Sequence, residues 1–260
     1  MLSIIRSGMA AASQEISVIS NNISNASSIG FKRSSASFAD QYTEQASKRP
    51  DQRVGHGVKL MAPRRMHSQG SLKETGNSLD LSIVGSGMFV LDTRPSQGTL
   101  SFTRDGSISV DSNGTLVNSD DVPFLDSSSN TITIPFNVSV QGRAPQRLTN
   151  VSVESDGSIK ASYGTTEFLT VGKIGLARFP NETQLKALGS SNFGETDQSG
   201  AAILGNAKEP GFGLVQAGSL ENSNTEITKE LIMLMRAQQA FNGNAKMMET
   251  EGKVTAQLIR

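Results

Sequence analysis

The chain has 260 residues with 24 basic and 24 acidic side chains, so its formal net charge is +0. No segment gathers the basic stripe that phosphate binding needs, which excludes nucleic acid as a partner. A hydrophobic fraction of 36%, with 5% aromatics and no Trp, is low for a compact enzyme, and the absence of Cys removes disulfides and thiolate chemistry.

The N-terminal stretch carries Leu2, Ile5, Met9, Ala12, Ile16, Ile19, Ile23 and Ala26 at alternating three- and four-residue spacings. That spacing predicts an α-helix with one narrow apolar seam, its opposite face formed by Ser3, Arg6, Ser7, Gln14, Ser17, Asn21 and Ser24. Gly30 in Ser27-Ser28-Ile29-Gly30-Phe31-Lys32-Arg33 supplies a left-handed residue past the helix end. The lone Arg6 is too little charge for an interfacial anchor, and no apolar run reaches the roughly 18 residues that span a bilayer, so no membrane insertion is expected. The N-terminus also lacks the basic, apolar and small-residue regions of a cleaved secretory signal.

Residues 34–78 are polar and punctuated by Pro50, Gly55, Gly57, Pro63, Gly70 and Gly76, which reads as an extended connector with short strands around Val58 to Met61. Leu79, Leu81 and Ile83 alternate, and Met88 to Leu91 forms a continuous apolar run. Arg104-Asp105-Gly106, Asn113-Gly114 and Asp156-Gly157 read as hairpin turns, because such pairs supply positive φ. Further strands are expected at Thr131 to Ile134, Val138 to Val140, Val151 to Val153, Ile159 to Ala161, Phe168 to Val171 and Ile174 to Phe179, with a helical turn within Asn181 to Leu188. Residues 79–221 are thus a mostly antiparallel β domain.

The C-terminal segment repeats the helical pattern. Ile227, Leu231, Leu234, Gln238, Phe241, Ala245, Met248, Gly252, Thr255 and Ile259 share the three-four spacing, with Ser223 and Glu226 as a capping box and Lys229-Glu230 on the solvated face. The expected fold is α+β and elongated. Residues 1–33 and 222–260 form a terminal helical domain, coiled-coil-like, outside the connector and the central β domain. Two such stripes need partners, either each other in a private hairpin or neighbouring chains.

Catalytic and metal chemistry finds no arrangement. His56 and His67 stand alone in the connector, Asp111-Ser112-Asn113 has Val122 where a calcium loop needs Glu, and Gly55-His56-Gly57 and Gly85-Ser86-Gly87 lack the third glycine of a dinucleotide fingerprint. No cofactor is expected, and a hydrolase would have to use a dispersed site for which no nucleophile and base can be named.

Ser20-Asn21-Asn22-Ile23-Ser24-Asn25-Ala26 followed by Gly30-Phe31-Lys32 resembles the N-terminal signature of bacterial flagellar rod and hook proteins. Met66-His67-Ser68-Gln69-Gly70-Ser71-Leu72, Asp80-Leu81-Ser82-Ile83, Gly87-Met88-Phe89-Val90 and Thr103-Arg104-Asp105-Gly106-Ser107 match in the same order. Gly218-Ser219-Leu220-Glu221-Asn222-Ser223-Asn224 with Ala237-Gln238-Gln239-Ala240-Phe241 is similar to the family's close. The resemblance implies a non-enzymatic axial subunit of the basal body, most like the distal rod members, whose terminal helices polymerise into an inner tube that transmits torque.

Its implied partners are copies of itself, other rod and hook subunits, outer-ring proteins and the flagellar type III export apparatus. Its implied location is the periplasm-spanning rod, reached without a cleaved signal peptide. The assembly interface would be Leu2, Ile5, Met9, Ala12, Ile16, Ile19, Ile23, Ala26, Ile227, Leu231, Leu234, Phe241, Ala245, Met248 and Ile259. The family signature is Asn21, Asn22, Asn25, Gly30, Phe31 and Lys32. A proximal rod or short hook-type subunit is the alternative within the family; a monomeric β-rich surface adhesin with a private helical stalk is the alternative outside it.

Overall fold

The structure is a computed structural model that describes residues 2–42, 55–94, 99–138, 146–164 and 167–258. It divides into two compact units, one of Met1–Ala26, Arg33–Met66 and Thr225–Arg260 and one of Ser27–Lys32 and His67–Asn224. Pro50, Val140 and Ile259 lie outside the described residues.

The first unit holds helix α1 (Leu2–Ser24), strands β1 (Ser34–Tyr42) and β2 (Gly55–Arg65), and helix α2 (Ile227–Leu258). α1 packs on α2 in antiparallel sense: Gly8 lies against Asn244, and Asn22 bonds to Glu230. Gly in a helix interior costs about 1 kcal/mol relative to Ala. At Gly8 that loss has a reason, because a Cβ would stand 3.2 Å from the Asn244 side chain, so the small residue lets the two helices approach. α1 ends with Asn25 donating twice to the Asn21 carbonyl, from its backbone N–H at 3.1 Å and from Nδ2 at 2.9 Å. α2 begins with the bond from Glu230 N to Glu226 O, which puts the N-cap at Glu226 and not at Ser223.

β1 and β2 form a long antiparallel ribbon, with Phe38 opposite Leu60 and Asp40 opposite Val58, in place of an extended connector with short strands. Its exposed side chains carry little of the burial signal by which strands are read. Two α1 side chains hold it: Ser7 Oγ accepts from Val58 N at 3.2 Å, and Gln14 Nε2 donates to Met61 O at 3.1 Å. Seven residues of helix rise about 10.5 Å, and three of strand rise about 10 Å, so the two bonds fit one register.

The second unit is strand and turn apart from one 3-10 turn at Glu182–Gln184, inside the expected helical turn of Asn181 to Leu188. In chain order it contains β3 (Leu72–Glu74), β4 (Leu81–Val84), β5 (Met88–Arg94), β6 (Thr99–Thr103), β7 (Ser109–Val110), β8 (Leu116–Val117) and β9 (Asn137–Val138). β10 (Gln146–Val153), β11 (Ser158–Tyr163), β12 (Glu167–Lys173), β13 (Gly175–Arg178) and β14 (Lys186–Gly189) follow. β15 (Asn192–Gly194), β16 (Ile203–Asn206), β17 (Leu214–Ala217) and β18 (Ser219–Glu221) complete it. A six-stranded sheet runs β14-β15-β6-β5-β13-β16, a four-stranded sheet runs β12-β11-β10-β9, and β17-β4, β18-β3 and β7-β8 form pairs. All these pairings are antiparallel.

β5 explains why Met88 to Leu91 is continuously apolar. Phe89 and Leu91 point into one core with Leu81, Phe124, Ile134 and Ile159, while Met88 and Val90 point into a second with Phe102, Phe179 and Phe193. A strand covered on both faces has no polar alternation to show. The Phe89 ring meets Phe124 edge to face at 6.0 Å, and Phe102 meets Phe179 at 4.7 Å.

The turns divide. Asn113-Gly114 closes the β7–β8 hairpin with Gly114 at φ 82, and Asp156-Gly157 closes β10–β11 with Gly157 at φ 79. Arg104-Asp105-Gly106 is not a hairpin turn: β6 pairs with β5 and β15, β7 with β8, and Gly106 keeps negative φ while lying against Leu81. The Asp-Gly pair there serves close backbone approach.

The β10–β11 turn carries a pH-dependent contribution. Asp156 accepts from the Ser158 hydroxyl at 2.8 Å and its N–H at 3.0 Å and pairs with Lys173 at 3.1 Å; these bonds, Ser158 foremost, hold its pKa at about 2. A depressed carboxylate adds stability that is present above the ordinary value of about 3.9 and lost as pH falls through the folded one. Asp156→Asn is therefore expected to flatten the dependence of stability on pH between about 4 and 2, read as urea midpoints across that window; an unchanged slope would exclude the contribution.

Candidate assembly interface and its buried ties

The signature that spans the end of α1 and the segment after it contributes to two polar clusters, one in each unit. In the helical unit Asn22 is buried. Its Oδ1 accepts from Ser34 N at 2.8 Å, and its Nδ2 donates to Ser34 O at 2.8 Å and to Glu230 Oε2 at 3.1 Å. Arg33 Nη1 lies 3.4 Å from the other Glu230 oxygen. Glu230 is 1% exposed, so it is not on the solvated face of α2 as its sequence neighbourhood suggests, whereas Lys229 is exposed. Glu249 and Lys253 do lie on the solvated face and pair at 2.6 Å. A polar residue inside an otherwise apolar helix seam sets the register, because a slipped pairing would strand it without partners.

In the β unit, Lys32 and Glu221 are both fully buried and 2.5 Å apart. The same Glu221 oxygen accepts from Gly70 N at 2.8 Å, and its other oxygen accepts from Arg104 Nη1 at 3.1 Å. Lys32 Nζ also donates to Ser68 O, and Arg104 Nη2 to Gly85 O. Burial pulls the Lys32 pKa below its ordinary value, and Glu221 opposes that shift by attraction and by hydrogen bonding.

Backbone bonds bring the segments together: Gly30 N donates to Glu221 O at 2.8 Å, Asn222 N to Ser71 O at 2.9 Å, and Asn224 N to Phe31 O at 3.4 Å. Gly30 takes φ 66, and a Cβ there would stand 2.6 Å from Asp105 N, so both conformation and space demand glycine. Phe31 is buried, Asn21 is exposed, and the Asn25 side chain bonds back to the Asn21 carbonyl.

The apolar seam residues divide by exposure. On α1, Ala12 and Ile19 are buried, Ile5, Met9, Ile16 and Ile23 are half-buried, and Leu2 is exposed; Ala26, beyond the helix, is half-buried. On α2, Leu234, Phe241, Ala245 and Met248 are half-buried, while Ile227 and Leu231 are exposed. The most buried positions of α2 are Glu230 and Ala237, neither of which belongs to the spacing read from sequence. The inward line runs through Glu230, Leu234, Ala237, Phe241, Asn244 and Met248, which leaves Ile227, Leu231, Ile232, Met235, Met247 and Val254 as apolar side chains open to water. Met235 is 61% exposed. His56 is exposed on β2, and the His67 ring meets Phe193 edge to face at 5.1 Å. Sequence reasoning gave no role to Glu221 or Arg104, although both stand inside the motifs that resemble the family, and it read Ser7 and Gln14 only as a polar helix face.

Comparison with known proteins accords with this arrangement. Residues 2–32 match the family described as flagella basal body rod protein, residues 82–161 the flagellar hook protein FlgE/F/G D1 domain, and residues 216–260 the flagellar basal body rod FlgEFG protein C-terminal region. The flagellar basal-body rod protein FlgG of Agrobacterium fabrum is 31% identical over 98% of this chain and 96% of its own length. FlgG of Caulobacter vibrioides is 35% identical over 94% and 92%. The flagellar hook-basal body complex protein FlhP of Bacillus subtilis is 25% identical over 90% and 88%. With FlgG proteins sharing close to a third of its residues along nearly their whole length, this chain belongs to the flagellar basal-body rod protein family and is most like FlgG.

Proposed function

We propose that this chain, a structural subunit of the flagellar basal-body rod, polymerises through α1 and α2 with copies of itself into the wall of a helical axial tube that transmits torque. In that tube α1 and α2 form the inner, coiled-coil-like layer. The observation that carries the reading is the short apolar line left on the first turns of α2, Ile227, Leu231 and Met235, with Met247 and Val254 as further apolar side chains open to water on another side of the helix. A soluble monomer has no use for such a line, whereas neighbouring subunits bury it, at about 25 cal/mol per Å² of apolar surface removed from water.

Other rod and hook subunits are the adjoining partners, in keeping with the names of the relatives, and the subunit lies in the basal body. Outer-ring proteins and the flagellar type III export apparatus are the remaining partners of this reading. Amide hydrogen exchange on dilute and polymerised subunit tests it. Residues 227–257 should gain protection on polymerisation while residues 81–134 of the β unit change little. Equal protection of α2 in both states would leave the helices as a private hairpin and reject assembly through them.

A further inference from the structure

The chain passes between its two units at Lys32-Arg33, and these adjacent cations go to different carboxylates: Lys32 to Glu221 in the β unit, Arg33 to Glu230 in the helical unit. Both carboxylates are buried and both belong to the C-terminal end of the chain. We propose that Lys32-Arg33 is a two-sided clasp by which the C-terminal end completes the burial of the N-terminal end, so that neither unit closes until Glu221 and Glu230 are in place.

The charges in the β unit argue for this. Lys32 and Arg104 are both buried cations, and both find their ion pair in the single carboxylate of Glu221. A chain that stopped short of Glu221 would hold two cations in the protein interior without that counter-ion. Removing one partner of a buried pair is strongly unfavourable because the remaining charge has lost its water as well as its pair. Glu221 also accepts from Gly70 N, at a position where a Cβ would stand 2.0 Å from Asn222 O. It thus ties together the segment leaving α1, the segment returning from β2, and the segment leading to α2.

In the helical unit the dependence runs the other way. Glu230 is the buried carboxylate, and Asn22 and Arg33 from the N-terminal end are its polar partners. The clasp therefore makes completeness of the chain a condition of folding. It stands on the fold alone and does not depend on how the subunits assemble.

Hydrogen exchange on full-length variants tests it. Glu221→Gln should speed exchange of the amides in 27–32 and 219–224 by about a hundredfold and leave α1 unchanged. Glu230→Gln should do the reverse, loosening 19–24 and 227–234 and sparing 27–32. A change below about twofold in both, or an even rise across the whole chain, would overturn the clasp. If Glu221→Gln fails to fold, Glu221→Asp decides: a folded Asp variant supports a charge requirement, and one as unfolded as the Gln variant overturns it.

Discussion

Gly106→Ala is expected to lower the stability of the β unit by about 3 kcal/mol or more, at the upper end of what overpacking costs. A Cβ built on Gly106 stands 1.8 Å from the Leu81 carbonyl oxygen, 2.7 Å from its carbon and 3.0 Å from the Phe89 ring. The first two are backbone atoms, which cannot swing aside as the tip of a long side chain can. Leu81 N also donates to Gly106 O at 2.9 Å, so the approach is held from both sides. To admit one methyl group, β4 must withdraw, that hydrogen bond must lengthen, and the core around Leu81 and Phe89, both fully buried, must open. For a chain of this size the loss corresponds to a fall in melting temperature of roughly 6–12 °C. Calorimetry measures it, and a variant melting within about 1 °C of the parent would show that the close approach is not needed. Gly76, with no atom within 4 Å of its Cβ position, is open in space, and only its positive φ disfavours alanine.

Gly106 also shows which parts of the fold the sequence makes legible. Asn113-Gly114 and Asp156-Gly157 are turns because local chemistry alone fixes a hairpin. Asp105-Gly106 has the same letters, but its conformation is set by Leu81, a residue distant in sequence, and nothing local announces that. The helices are legible through their periodicity, although the line that faces inward on α2 is displaced from the one that spacing suggests. The displacement has a physical source: two apolar lines share the helix, one covered by α1 and one left open, and apolar spacing does not say which is covered.

Glu230 and Glu221 were hidden for a related reason. A charge is read as solvated because burial without a partner is prohibitive, and their partners Asn22, Arg33 and Lys32 lie near the other end of the chain. The β1–β2 ribbon was hidden because most of its side chains are exposed; Ser7 and Gln14 of α1 hold its backbone, and backbone bonds leave no residue pattern.

The second large effect separates assembly from folding. Leu231→Asp and Met235→Asp each place a carboxylate on the open apolar line of α2, where the parent side chains are already 47% and 61% exposed. In the isolated subunit little apolar burial is lost, so melting of the dilute protein should move by no more than a typical surface substitution moves it, about 0.5 kcal/mol. In the polymer the same carboxylate would be driven into an apolar contact without a cation, and every subunit would carry the defect. The concentration needed to polymerise should therefore rise roughly a hundredfold or more, and flagellar rods should fail to incorporate the variant. Lys253→Ala, on the solvated face where Lys253 pairs with Glu249, is the control and should polymerise normally, because exposed pairs contribute little. Sedimentation across a concentration series reads both. If the Asp variants polymerise as the parent does, the open line of α2 faces water in the rod, and the subunit contacts must be sought on another surface.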